Sequence, residues 1–406
     1  MDLISGEPYW PHIQPETARY PKLECDTECD ILIIGGGVAG ALAAYRLIQE
    51  GFTPMLVDSR DIAGGSTAVN TGIVHMFNDK TLTSCIHSFG EENGVAFYNL
   101  CGEAVRTLVE ICRKEKLDAH FKQRDSLYLA SDAKDVPLLT EEYRTLVKYG
   151  FQVEFLTPER IAKKFSFTKP GAILTAEGVA INPYALVHGL IAASAAKGMK
   201  VYTRTEIVSR VDTKDGIVFT TRDRGSIRAR FAVYSTGHES QDIRRNPNAK
   251  LLTTYSVVTK PLQEITGWHK ECMIWETARP YLYLRTTGDG RIIIGGEDEP
   301  MMTAEERAAR LAVKKDVLLH KAKELFPHLD LQAEYAWAGV FGATHDGYPM
   351  IGSQPGFPNS LFSLGYGGNG IVYSVLGAEI IASFAKGRRH PGESLFRFDR
   401  NGSGVN

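Results

Sequence analysis

The chain has 406 residues, 43% hydrophobic and 23% charged, with 46 Lys and Arg against 48 Asp and Glu. That is ordinary for a folded protein with room for two domains on a substantial core, and the formal net charge of −2 leaves no basic footprint for nucleic acid or an anionic membrane surface. No apolar segment is long enough to span a bilayer, and the opening Met-Asp-Leu-Ile-Ser-Gly lacks the charged-then-apolar plan of a signal peptide, so a cytoplasmic location is expected. The six cysteines (Cys25, Cys29, Cys85, Cys101, Cys112, Cys272) are too few and too dispersed for a disulfide framework, and no second Cys or His pair completes a metal site with Cys25 and Cys29. Reduced thiols and no metal are expected.

Residues 1–27, rich in Pro and polar residues, read as an arm, with Tyr9 and Trp10 anchoring it by packing. Next come the β-formers Ile31 to Ile34, then Gly35, Gly37 and Gly40 at G-x-G-x-x-G spacing. A helical stretch runs from Val38 to about Glu50, and a second apolar segment, Pro54 to Val57, ends on Asp58. Strand, tight turn, helix, strand and acid in that order make a βαβ unit that holds a dinucleotide. Gly35 permits the turn, Gly37 admits a pyrophosphate, and Gly40 lets the helix pack close. The amides of Val38 and Ala39 at the helix start favour phosphate charge, and Asp58 accepts from ribose hydroxyls.

Residues 61–78 read as a Gly/Ser/Thr/Asn-rich loop. A long helix is expected over 86–116, a strand over 121–130, and helices over 140–149 and 182–197. Three short strands near 199–213, 216–222 and 226–235 follow, with Asp215-Gly216 as a hairpin turn and Gly237 at the tip of the third. Alternating strands over 251–260, 272–275, 281–286 and 291–295 mark a separate antiparallel sheet, with Asp289-Gly290 as a second hairpin. A helix over 304–325 starts on a Thr303/Glu306 capping box. A strand over 335–341 and a last helix over 371–386 precede a frayed tail. The fold class is therefore α/β. A discontinuous Rossmann-type domain (28–118, 178–245 and 335–390) is interrupted by an antiparallel, α+β substrate domain (119–177 and 246–334), with a tail over 391–406.

Five further segments stand in order after the first glycines: Gly65-Ser66-Thr67-Ala68-Val69-Asn70-Thr71-Gly72, Tyr234-Ser235-Thr236-Gly237, Arg285 to Gly296, Trp337 to Gly352, and Gly365 to Ile371. Together these six motifs, over about residues 28–390, resemble the D-amino-acid-oxidase-like family of FAD-dependent oxidoreductases, in particular its γ-glutamylputrescine oxidase and glycine oxidase branch. The resemblance implies noncovalent FAD. No cysteine lies beyond Cys272 to tether a flavin, and there is no second G-x-G-x-x-G for a nicotinamide nucleotide. Carried over by position, Gly35, Gly37, Val38, Ala39 and Gly40 hold the pyrophosphate, and Asp58 with Ser59 the adenosine ribose. Gly65, Ser66, Thr67, Asn70, Thr71 and Gly72 reach the phosphates or the ribityl chain. Ile207 holds adenine through its backbone, and Thr236 and Gly237 close over the nucleotide. Gly339 lies in the C-terminal flavin segment, and Gly367, Gly368, Asn369, Gly370 and Ile371 open a helix toward the flavin edge where negative charge accumulates on reduction.

The family's chemistry moves a hydride from the carbon beside an amine to flavin N5. The expected partners are thus a small amine or amino-acid substrate and oxygen or another electron acceptor. Phe341 stands where glycine-oxidase-like members carry an arginine for the substrate carboxylate, which favours an amine or N-substituted amine. Arg285 is the residue that supplies a guanidinium from elsewhere, if any does. His75 follows the Asn-Thr-Gly loop in a segment similar to that of L-2-hydroxyglutarate dehydrogenases, which implies an alternative: a 2-hydroxy-acid dehydrogenase with His75 as base. Tyr255, Tyr283 and Tyr366 are expected to line the pocket. A flavin-binding subunit without turnover is the third reading.

Overall fold

The computed structural model describes residues 2–14 and 17–400. Its centre is a sheet of eight strands in the order Met350–Gly352, Ser360–Leu364, Ser226–Tyr234, Thr27–Ile34, Met55–Val57 and Lys200–Tyr202, with the hairpin Ile207–Thr213/Gly216–Thr221 added on Ser226–Tyr234. The five strands from Ser360–Leu364 to Lys200–Tyr202 pair in parallel. Such strands are buried on both faces, which is why Ile31 to Ile34 read as an unbroken apolar run. Helices Val38–Gln49, Pro183–Ala196 and Gly370–Ala385 pack together, their Leu42, Leu47, Leu186, Leu190, Val375 and Ile380 merging into one core.

The second sheet has ten strands: Ile4–Gly6, Ala333–Thr344, Ala249–Thr259, Ile292–Pro300, Leu282–Thr286, Met273–Glu276, Lys122–Leu129, Ala172–Ala180 and Ile73–His75 in spatial order, with Val153–Leu156 also paired to Ala172–Ala180. It is antiparallel except where Met273–Glu276 runs parallel to Lys122–Leu129 and joins its two halves. Helix Ala304–Leu325, capped by Thr303 and Glu306 as its sequence requires, packs against this sheet through a core that includes Leu318, Ala322 and Leu325.

Several elements depart from expectation. The helix expected over 86–116 is two helices, Leu82–Phe89 and Glu91–Lys114, broken where Gly90 takes φ +85°. Strands Ile73–His75 and Ala333–Thr344 belong to the ten-stranded sheet. Strand Ala172–Ala180, strand Val153–Leu156 and helix Pro158–Lys164 carried no readable period. The arm is built into the body: Ile4–Gly6 pairs with Gly339 to Trp337, and Tyr9 and Trp10 are buried. The tail up to residue 400 is docked by the buried Arg400–Asp346 pair (2.7 Å) rather than frayed, and 401–406 lie outside the described residues. No cysteine is disulfide-bonded, and four of the six are buried. Among the described residues no helix is long and apolar enough to cross a membrane, and no group of His, Cys, Asp and Glu is arranged to hold a metal.

Candidate cofactor and substrate site

A cavity of about 710 Å³ takes its walls from both sheets. At its dinucleotide end, Gly35 turns the chain at φ +113° and Gly40 sits so close to that turn that a Cβ would lie 1.8 Å from the Gly35 carbonyl oxygen. Helix Val38–Gln49 starts without an acidic residue or a side-chain cap, so its N-terminal dipole is left for a ligand anion. Asp58 is half-buried, and its oxygens accept from the Gly36 amide (2.6 Å) and the Arg60 amide (2.7 Å). Burial raises its pKa against the pull of those amides. Thr67 Oγ accepts from the Val38 amide at 3.1 Å, which fixes the Gly65–Gly72 loop against the helix start.

Twenty of the twenty-two expected cofactor residues line this cavity: Gly35, Gly37, Val38, Ala39, Asp58, Ser59, Gly65, Ser66, Thr67, Asn70, Thr71, Ile207, Thr236, Gly237, Gly339, Gly367, Gly368, Asn369, Gly370 and Ile371. Gly40 and Gly72 do not; they shape the turns behind the wall, Gly72 at φ +71°. The residues present suit a dinucleotide. Gly37 leaves the space before the helix start open, since a Cβ there would lie 3.1 Å from Thr67 Oγ.

Four of the six candidate pocket residues, His75, Tyr283, Phe341 and Tyr366, also line the cavity. Two do not. Arg285 is 3% exposed and lies behind the loop, where Nε donates to Thr71 O (2.6 Å), Nη2 to Ile181 O (2.9 Å), and the guanidinium sits 5.1 Å from the Trp10 ring. Burial pushes its pKa down to about 9. Tyr255 is turned away, donating to Glu299 (2.9 Å) beside the long helix.

Sequence reasoning missed Phe77, Asn78, Asp79, His238, Thr254, Met273, Trp275 and Tyr281, which also form the wall. Met273 and Trp275 stand two apart on one strand, so alternation placed them on a shared face; what it left open was which face. Asn369 ties this region together: its amide donates to His75 O (3.2 Å), Asn78 Oδ1 (3.0 Å) and the Phe77 carbonyl. Trp275 stacks on Tyr128 at 3.8 Å and meets His75 edge-on at 5.4 Å.

Charge divides the cavity. Asp58, Arg60, Glu206, Arg210, Glu239 and Asp242 belong to the eight-stranded sheet and its loops, with Arg60 clasping Glu239 (2.8 and 2.5 Å). On the side built by the ten-stranded sheet and the 77–79 turn, the one charged lining residue is Asp79, which accepts from the Gly368 amide at 2.9 Å. Burial holds His75 and His238 neutral, each with a pKa lowered to about 4.

A family model described as FAD dependent oxidoreductase (DAO) matches residues 30–384. The chain therefore belongs to the DAO family of FAD-dependent oxidoreductases. It is 24% identical over 379 residues to γ-glutamylputrescine oxidoreductase of Escherichia coli (strain K12), covering 91% of this chain and 86% of that one. It is also 24% identical over 406 residues to a putative Rieske 2Fe-2S iron-sulfur protein of Bacillus subtilis (strain 168), covering 96% and 75%. Among solved structures, glycine oxidase from Geobacillus kaustophilus superposes with a TM-score of 0.78 at 19% identity, over 92% of this chain and 99% of that one.

Proposed function

We propose that this oxidoreductase takes a hydride from the carbon beside the nitrogen of an amine or N-substituted amine, in preference to a simple α-amino acid. One observation carries this reading. The substrate side of the cavity is walled by Phe77, Trp275, Tyr281, Tyr283 and Phe341, its one charged lining residue is the carboxylate of Asp79, and no Arg or Lys lines it. Aromatic faces and a carboxylate suit a cationic or apolar group; a substrate carboxylate finds no guanidinium there. The likeness to γ-glutamylputrescine oxidoreductase, which is named for an amine, points the same way.

Gly35, Gly37, Asp58, Thr67, Thr236 and the Gly367–Ile371 turn would hold FAD, with no cysteine in the cavity wall to tether it. Bound there, FAD supplies a two-electron acceptor for the hydride. The protein's part is to orient the substrate C–H bond and exclude water. The aromatic wall does both, and Asp79 attracts the substrate ammonium. Burial of His75 counts against the hydroxy-acid alternative, which needs that imidazole to accept a proton. The test is anaerobic bleaching of the flavin absorbance by a panel of amines, amino acids and 2-hydroxy acids. Bleaching by amines is the expected result. Bleaching by hydroxy acids alone, or by none of the panel, overturns the reading.

A further inference from the structure

His75 and Ser126 face each other across the ten-stranded sheet. His75 ends the edge strand Ile73–His75, Ser126 sits on Lys122–Leu129, and Ala172–Ala180 runs between them with Gly178 opposite His75. A register irregularity between Arg124 and Ser126 re-aims the serine. The result is a contact of 2.9 Å between His75 Nδ1 and Ser126 Oγ.

The direction of that hydrogen bond follows from what Ser126 lacks. Ser126 is fully buried, and His75 is its one side-chain partner among the described residues. If Nδ1 donated, the serine hydrogen would be buried with no acceptor, a costly arrangement. The hydroxyl therefore donates to Nδ1, and a neutral imidazole that accepts at Nδ1 bears its hydrogen at Nε2. Among the described residues no hydrogen bond reaches Nε2, and His75 lines the cavity.

We propose that Ser126 is a positioning residue that locks His75 in the Nε2-protonated tautomer, so that the cavity presents a hydrogen-bond donor to an oxygen of the substrate, and that the substrate is an amine whose chain also carries an amide or carboxylate oxygen. The substrate class rests on the amine reading given above; the tautomer does not. Burial keeps the ring uncharged through the range in which an ordinary histidine titrates, so the donor persists at neutral and mildly acidic pH without becoming an imidazolium.

Two measurements on the FAD-loaded protein test this. The first is long-range proton–nitrogen correlation with 15N-histidine labelling, with the His75 signal assigned by its loss in His75→Gln. The expected wild-type signal at pH 7 and pH 5.5 is a protonated Nε2 beside an unprotonated Nδ1, giving way to mixed tautomers in Ser126→Ala and restored in Ser126→Thr. A proton on Nδ1 in the wild type, an imidazolium at pH 5.5, or an unchanged tautomer in Ser126→Ala overturns the lock. The second compares flavin reduction by three amines of equal length: one with a distal amide, one with a distal carboxylate, one plain alkyl. Ser126→Ala is expected to raise KM about tenfold for whichever oxygen-bearing amine the wild type prefers, with kcat and the plain amine little changed. An equal loss across the three overturns the substrate class. Failure of every amine to reduce the flavin would overturn the amine reading yet leave the wild-type tautomer to be judged by its own spectrum.

Discussion

The two ends of the cavity are built on different principles. The dinucleotide end is made largely of backbone: positive-φ glycines, a helix start free of acids whose first amide is held by Thr67 Oγ, and a carboxylate whose oxygens accept from amides two and twenty-two residues away in sequence. The substrate end is made of side chains from strands distant in sequence, among them His75, Thr254, Trp275, Tyr283 and Phe341. Backbone geometry tolerates almost no change, whereas a wall of side chains is changed one residue at a time. The first end accordingly sets what cofactor is held, and the second is where specificity varies.

Substitution tests that contrast directly. Gly40→Val should have the largest effect, because its Cβ would lie 1.8 Å from a backbone oxygen that cannot yield. Misplacing the helix costs at least about 3 kcal/mol, and the expected product is insoluble or colourless protein; a full flavin complement with unchanged Tm would break the distinction. Acid is the next strongest perturbation. His75, His188 and His238 each have a pKa lowered to about 4 in the fold, below their unfolded value, so the unfolded chain binds protons first as pH falls. The stability they contribute is present above the ordinary histidine pKa of about 6.5 and is lost progressively from there down to about 4. Asp298, raised to about 6, and Asp58 and Glu142, also raised by burial, oppose the trend, while His269 and His390, lowered by burial, add to it. Tm should therefore drop by several degrees between pH 6.5 and 5, and His188→Leu, outside the cavity, should flatten the slope. A flat profile would show these imidazoles to be solvated.

Asp58→Ala should weaken FAD binding about ten- to a hundredfold, as expected for charge-assisted hydrogen bonds of about 1.5–3 kcal/mol, as read by fluorescence titration. Unchanged retention would remove Asp58 from the cofactor end. Phe341→Arg should move the ratio of kcat/KM for a carboxylate-bearing substrate over a plain amine about tenfold toward the carboxylate, with FAD content unaltered. Asp79→Asn, at an exposed position, should raise amine KM only a few-fold, in line with about 0.2–1 kcal/mol for exposed ion pairs, and that difference should fade at high salt.

The same contrast explains what could be read from the chain before its structure. Local signals survive translation into three dimensions. The glycines at 35, 37 and 40, the acid at 58, the Thr303/Glu306 cap and the Gly367–Ile371 turn each act within a few residues or one βαβ unit. Tyr255 and Arg285 illustrate the limit. Each lies on a strand of the inserted sheet, and alternation says which neighbours share its face but not whether that face meets the cavity, the long helix or the back of a loop. Tyr255 reaches Glu299 and Arg285 reaches Thr71, contacts decided by sheet packing. Ile73–His75 was hidden for another reason: three residues carry no period, so its pairing with Ala180 to Gly178 is legible only in the sheet.

The strand Ile4–Gly6 finds its partner in Ala333–Thr344, Tyr9 donates to Asp289, and Trp10 donates to Asn70 O. In the order of synthesis, Ile4–Gly6 must wait for a partner strand about 330 residues later. At about 5–20 residues per second that interval is on the order of tens of seconds, during which Tyr9 and Trp10 lack the Trp337 side of their cluster. Ser360–Leu364, an inner strand of the dinucleotide sheet, emerges later still. A bulky fusion ahead of Ile4 would burden assembly of a pocket whose wall includes Leu3.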